Sequence, residues 1–241
     1  MIHKTTGIVL HILPYNDAYN IIYMYTRDFG RTSYLSSNKR GKKTKVSRAL
    51  LQPLSVIDME VEHLNSRSIQ RIKETKAALP LTRLQRHPAK NAIALFLSEV
   101  LYRVIQEQEA NHRLFDFLFD SIQWLDIAEE GVSNFHLTFL FQLSSYLGIH
   151  PNKKTYQPGY YFDLTNGDFS AHIPEHPYYL NQEDSLVFER LLRINYKNMG
   201  LYSFSGQERS QIIRHILNYY RLHLPGFPEI KSLAVMQSLF V

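Results

Sequence analysis

Cysteine is absent from all 241 residues, which excludes disulfides, zinc sites built on thiolates and cysteine nucleophiles. No run of about 18 uncharged apolar residues occurs. The opening Met1-Ile2-His3-Lys4 leads straight into a strand-like pattern rather than the apolar stretch of a signal peptide. These absences predict a cytoplasmic protein without a membrane span. A Walker-type phosphate loop, a dinucleotide-binding glycine fingerprint and a nucleophile elbow are missing as well. The sequence thus points away from an enzyme and carries no catalytic candidate.

What the chain does have is charge in one place. Residues 38–48 hold Lys39, Arg40, Lys42, Lys43, Lys45 and Arg48, six cations in eleven positions with no acid. A solvated loop of this kind must offset its own repulsion, and a polyanion such as nucleic acid does so while releasing counterions. The wider balance agrees. Residues 1–80 contain 13 of the 27 cations and 6 of the 22 acids, leaving the rest of the chain slightly acidic. The polyanion-binding surface is therefore expected in the N-terminal part, and the remainder is better suited to packing and protein contacts.

Five short strand patterns precede residue 80: 7–13, 21–26, 32–36, 54–61 and 68–74, the last two joined by the turn Leu64-Asn65-Ser66-Arg67. Asp28-Phe29-Gly30-Arg31 supplies a hairpin turn between the second and third. Five strands in about eighty residues predict a small barrel of the OB type. From Leu81 the period turns helical, with Ile93, Leu97, Val100, Leu101, Val104 and Ile105 after Pro88, then further helices over 114–125 and 135–147. Phe96, Phe115, Phe119, Phe139 and Phe141 fill a helical core in this reading. Residues 150–180 lose the helical period to Pro, Gly and Tyr and read as an irregular hairpin insertion. Helices resume over 185–196 and 205–222, where Ser205 and Glu208 have capping-box spacing, and a short last helix falls within 229–239. The fold class is thus α+β, with an OB-fold domain at 1–79 and a helical domain at 80–241. Few Gly or Ser near 78–87 imply a rigid junction.

His172 and His176 stand four apart, but Pro174 and Pro177 forbid a regular helix there, so no metal site is expected. Asp58, Glu60 and Glu62 share one face of an alternating strand, where solvation suffices to explain them. On the second strand Ile22, Met24 and Thr26 share one face, and Tyr23, Tyr25 and Arg27 share the other. Facing outward, Tyr23 would offer a stacking ring and Arg27 a phosphate partner; facing inward, the tyrosines would cover barrel ends or a domain interface. Arg31, Arg67, Arg71, Lys73 and Lys76 extend the positive surface or simply solvate a strand edge.

The segments Gly7-Ile8-Val9-Leu10, Thr26-Arg27-Asp28-Phe29-Gly30-Arg31, Lys39-Arg40-Gly41-Lys42-Lys43 and Leu51-Gln52-Pro53-Leu54, followed by Tyr146-Leu147-Gly148-Ile149, Tyr161-Phe162-Asp163-Leu164, Leu222-His223-Leu224-Pro225-Gly226-Phe227 and Lys231-Ser232-Leu233, resemble the RecO recombination mediators in order and spacing across nearly the whole chain. The resemblance implies an N-terminal OB-fold, a helical C-terminal domain, binding to single- and double-stranded DNA, annealing of complementary strands, and help in loading the RecA recombinase. It also implies partnership with RecR, docking of the C-terminal tail of single-stranded-DNA-binding protein on the helical domain, and a nucleoid-associated place in the cytoplasm. Many members carry a four-cysteine zinc module where this chain has residues 150–180, so a hairpin without metal or other cofactor is expected here, held by Tyr156, Tyr160, Tyr161 and Phe162.

Annealing needs no catalytic residue, because a cationic surface that screens two backbones lowers the repulsion opposing duplex nucleation. The six cations of 38–48 lead the proposed contacts, with Arg27, Arg31 and Tyr23 beside them. An OB-fold RNA-binding factor and a structural adaptor are the alternatives.

Overall fold

The computed structural model describes residues 1–37 and 50–239, which group into two compact units. One comprises Met1–Ile127 with Ile230–Leu239, the other Ala128–Glu229. The chain leaves the first at Ile127 and returns to it at Ile230.

Alternating burial builds the barrel. β1 (Ile2–Asn16), β2 (Tyr19–Thr26), β3 (Gly30–Ser37), β4 (Val56–Glu62) and β5 (Ile69–Ala77) close in the order β1-β2-β3-β5-β4. β3 runs parallel to β5 and every other pairing is antiparallel, the five-stranded arrangement of an OB-fold. β1 is long because it serves two partners: Ile2 to Ile8 pair with β4, and Gly7 to Asn16 with β2. Val9, Ile22, Met24, Tyr34, Ile57, Met59, Val61 and Ile72 fill the interior. Gly30 ends the β2–β3 turn at φ 59°, where a Cβ would lie 2.4 Å from the Glu109 carbonyl oxygen, so no other residue fits. The Thr26 hydroxyl completes that turn, donating to the Gly30 carbonyl and accepting from the Phe29 N–H.

Buried Leu54 also has positive φ, 60°, a conformation a side chain rarely tolerates. It is held there by backbone: the Leu54 N–H donates to the Val9 carbonyl, and the Val9 N–H to the Ser55 carbonyl.

The helices α1 (Thr82–Arg86), α2 (Pro88–Val104) and α3 (His112–Ile127) belong to the same unit. α2 starts on a proline, which lacks only an N–H that the first turn leaves unbonded anyway. Asp126 ties the three together, accepting from the Leu84 N–H through its carboxylate and from the buried Lys90 ammonium through its carbonyl.

The second unit contains α4 (Phe135–Tyr146), a sheet ordered β7-β6-β8 from β6 (Tyr161–Asp163), β7 (Asp168–Ser170) and β8 (Tyr179–Leu180), and helices α5 (Gln182–Leu191) and α6 (Gly206–His223). The expected capping box is present at Ser205 and Glu208. The insertion is a hairpin, β6–β7, with a third strand added. Its centre is Phe162, fully buried among Phe169, Phe188 and Tyr219. Tyr156 packs edge-on against Phe169, and Tyr161 against Tyr179. The Asp163 carboxylate organises the turn by accepting from the N–H groups of Thr165 and Asn166 and from the Asn166 amide, with His176 Nε2 3.3 Å away.

Candidate nucleic-acid interface

The second strand carries a row of side chains on its outer face, Tyr19, Ile21, Tyr23 and Tyr25. Helices of the same unit cover most of it. Tyr25 is 1% exposed, stacks on Phe115 and donates its hydroxyl to the Asn111 carbonyl; burial pushes its pKa up to about 12. Tyr23 meets Tyr102 edge-on at 5.0 Å, and Tyr102 in turn stacks on His11. The Arg31 guanidinium lies 4.7 Å from the Tyr102 ring centre and 5.6 Å from that of Tyr23, and donates to the carbonyls of Tyr102 and Ile105. Its backbone N–H reaches the Glu107 carbonyl. Arg27 pairs with Asp116 at 2.8 Å, both about half exposed, and approaches the Phe115 ring.

Tyr23 and Arg31 nevertheless remain half-buried and line a groove of about 460 Å³ together with Phe29, His63, Asn65 and Arg67. It lies along β2 and β3 and the β4–β5 turn, the surfaces that OB-folds use for oligonucleotides. Inside it Phe29 and His63 stack with ring centres 4.1 Å apart and planes 10° from parallel, and His3 meets Phe29 edge-on. Burial, and then the neighbouring His3, hold His63 below the ordinary histidine range, so at neutral pH it is an uncharged ring. Sequence reasoning missed this pair. Phe29 and His63 are far apart in the chain, and only barrel closure brings them together.

Arg27 falls elsewhere, in a depression with Lys4, Asp28, Asp58, Glu60 and Lys76. Along β4 the acids meet cations of neighbouring segments: Lys4 reaches Glu60 at 3.5 Å, Lys76 reaches Asp58 at 3.5 Å, and Lys73 and Arg67 reach Glu62 at 3.1 and 3.2 Å. Lys73 foremost, with Arg67, lowers the Glu62 pKa. The Thr6 hydroxyl adds a hydrogen bond to Asp58. Lys73, Lys76 and Arg67 thus neutralise β4 as much as they extend a positive surface. Lys39, Arg40, Lys42, Lys43, Lys45 and Arg48 lie outside the described residues.

Among the described residues no group of three His, Asp or Glu side chains is arranged to hold a metal ion, and no helix is long and apolar enough to cross a membrane.

Comparison with known proteins agrees with the barrel and with the helical remainder. Residues 1–80 match the family described as "Recombination protein O N terminal", and residues 85–234 match "Recombination protein O C terminal". Among curated relatives, proteins named DNA repair protein RecO are similar over the full length of both chains in Bacteroides fragilis, at 45% identity, and in Azobacteroides pseudotrichonymphae, at 42%. That of Flavobacterium psychrophilum is 32% identical over 98% of each chain.

Proposed function

Because this chain belongs to the RecO family of recombination proteins, we propose that it serves recombinational DNA repair as a non-enzymatic mediator, annealing complementary single strands and helping to load RecA. The observation that carries this reading is the barrel groove, where Tyr23, Phe29 and His63 supply rings and Arg31 supplies a cation. Single-strand binding combines these two elements, stacking surfaces for bases and positive charge for phosphates. The barrel of residues 1–79 is the nucleic-acid-binding domain in this proposal, contacting both single- and double-stranded DNA. Lys39, Arg40, Lys42, Lys43, Lys45 and Arg48 neutralise phosphates, with Arg27 as a further cation. Residues 80–241 then meet protein partners, RecR and the C-terminal tail of single-stranded-DNA-binding protein, at a nucleoid-associated site in the cytoplasm.

The test is the annealing rate of complementary DNA strands coated with single-stranded-DNA-binding protein, for the wild type and for a variant with the six cations changed to alanine. Acceleration by the wild type that the variant loses supports the reading. Acceleration by both keeps the activity and moves the phosphate contacts to the groove. If neither accelerates, the mediator reading fails, and a preference for RNA over single-stranded DNA in competition then identifies an RNA-binding factor.

A further inference from the structure

β1 and β2 run on beyond the closed part of the barrel and end in a hairpin that exposes large apolar side chains. Tyr15 is 61% exposed, Leu13 43% and Tyr19 41%. Tyr19 begins the outer row of β2, and its neighbour in that row, Ile21, is only 7% exposed. The helices that cover Tyr23 and Tyr25 thus leave the tip bare. The tip is also well fixed. Asn16 accepts from the N–H groups of Ala18 and Tyr19 through its side chain, closing the turn. A register shift between Pro14 and Asn16 places Tyr15 in a bulge, a device that re-aims a side chain out of the regular alternation.

We propose that this hairpin tip is a base-stacking contact for single-stranded nucleic acid, made by Tyr15 and Tyr19. The proposal rests on the nucleic-acid reading above and adds to it a second place, on different residues from the groove. Two features select nucleobases over other occupants. The exposed Leu13, Tyr15 and Tyr19 stand among Asn16, Asp17, Asn20 and Ser37, a small apolar surface with polar neighbours instead of the extended patch that a hydrophobic partner or a bilayer requires. Tyr19 pairs in register with Ser37, the residue from which the chain continues into its six cations in eleven positions. Rings beside a cation-rich sequence match a strand that stacks its bases and neutralises its phosphates. The one carboxylate at the tip, Asp17, lies in the turn itself.

The experiment compares the full-length wild type, Tyr15→Ala/Tyr19→Ala and Tyr15→Phe/Tyr19→Phe by fluorescence anisotropy on two labelled probes across a salt series. One probe is a thymidine 20-mer, the other an abasic strand of the same length that keeps the phosphates and lacks the bases. On the thymidine strand the alanine variant should lose roughly tenfold or more in affinity with an unchanged salt slope, while the phenylalanine variant binds like the wild type. On the abasic strand all three should bind equally. Equal losses on both probes, or no loss on either, would overturn the stacking contact while leaving DNA binding intact. A wild type that binds neither probe overturns the nucleic-acid reading and this contact with it.

Discussion

The Arg31 guanidinium donates to the Tyr102 carbonyl at 2.9 Å while lying 4.7 Å from the centre of the same residue's ring. One side chain of the barrel therefore grips the end of α2 in two ways. Changing Arg31 to alanine should cost about 2–4 kcal/mol of stability, since two charge-assisted hydrogen bonds and the ring interaction go together. Lysine should rescue little of this, because an ammonium cannot lie against the Tyr102 ring as the planar guanidinium does. Urea denaturation of the two variants measures it.

Substitution of the six cations of 38–48 should behave in the opposite way. Stability should stay within about 0.5 kcal/mol of the wild type, while the slope of log affinity against log salt on single strands flattens by roughly 0.7 for each phosphate that the variant no longer neutralises. An unchanged slope would remove these residues from the interface.

His63→Ala tests the groove. With the ring gone from its stack on Phe29, affinity for a single strand should fall about fivefold or more, and the salt slope should not change, because His63 is neutral at pH 7. A variant indistinguishable from the wild type would take the groove out of the binding surface.

Glu99 on α2 receives the returning C-terminal segment, accepting from the N–H groups of Lys231 and Ser232 and from the Ser232 hydroxyl. Burial raises the pKa of this carboxyl, but the hydrogen bonds from Ser232 and Lys231 together outweigh it and leave the value below the ordinary 4.5. As pH falls, the unfolded chain takes up the proton first. The contribution is thus complete above about pH 4.5 and disappears as pH drops through the lower folded-state value. Glu99→Ala should be less stable by about 1–3 kcal/mol at neutral pH, and the two denaturation midpoints should converge in acid.

A fragment ending at residue 79 should fail to fold cooperatively. It would strip α2 and α3 from Tyr23 and Tyr25, and would remove Ser98, whose hydroxyl donates to the Leu10 carbonyl. A sharp thermal transition in that fragment, equal to one in the whole chain, would show that the barrel does not need its helices.

Much of the fold was legible because it is periodic. The strand alternation placed all five barrel strands, the Asp28-Phe29-Gly30-Arg31 turn joined the right pair, and the Ser205 capping box marked the start of α6. β1 reads shorter in the sequence than it is, because its ends pair at Ile2 and Asn16 outside the apolar stretch. The surroundings of the candidate site were less legible. Periodicity shows that Tyr23 and Tyr25 share a face and says nothing of which helix lies over it. It separates Asp58, Glu60 and Glu62 from the core, yet their cations come from β1, β5 and the β4–β5 turn, and only register reveals them. Tyr156, Tyr161 and Phe162 were recognisable as the packing of the insertion, whereas Asp163, which organises its turn, looks in the sequence like an ordinary polar residue.

The pairing of Lys4, Lys73, Lys76 and Arg67 with the acids of β4 also shapes what an approaching polyanion senses. Opposite charges a few ångströms apart cancel at distances beyond the screening length, about 8 Å at physiological salt. That flank of the barrel is electrostatically quiet. If the barrel binds DNA as proposed, an incoming strand gains little from this side, because the acids of β4 silence cations that would otherwise attract it there.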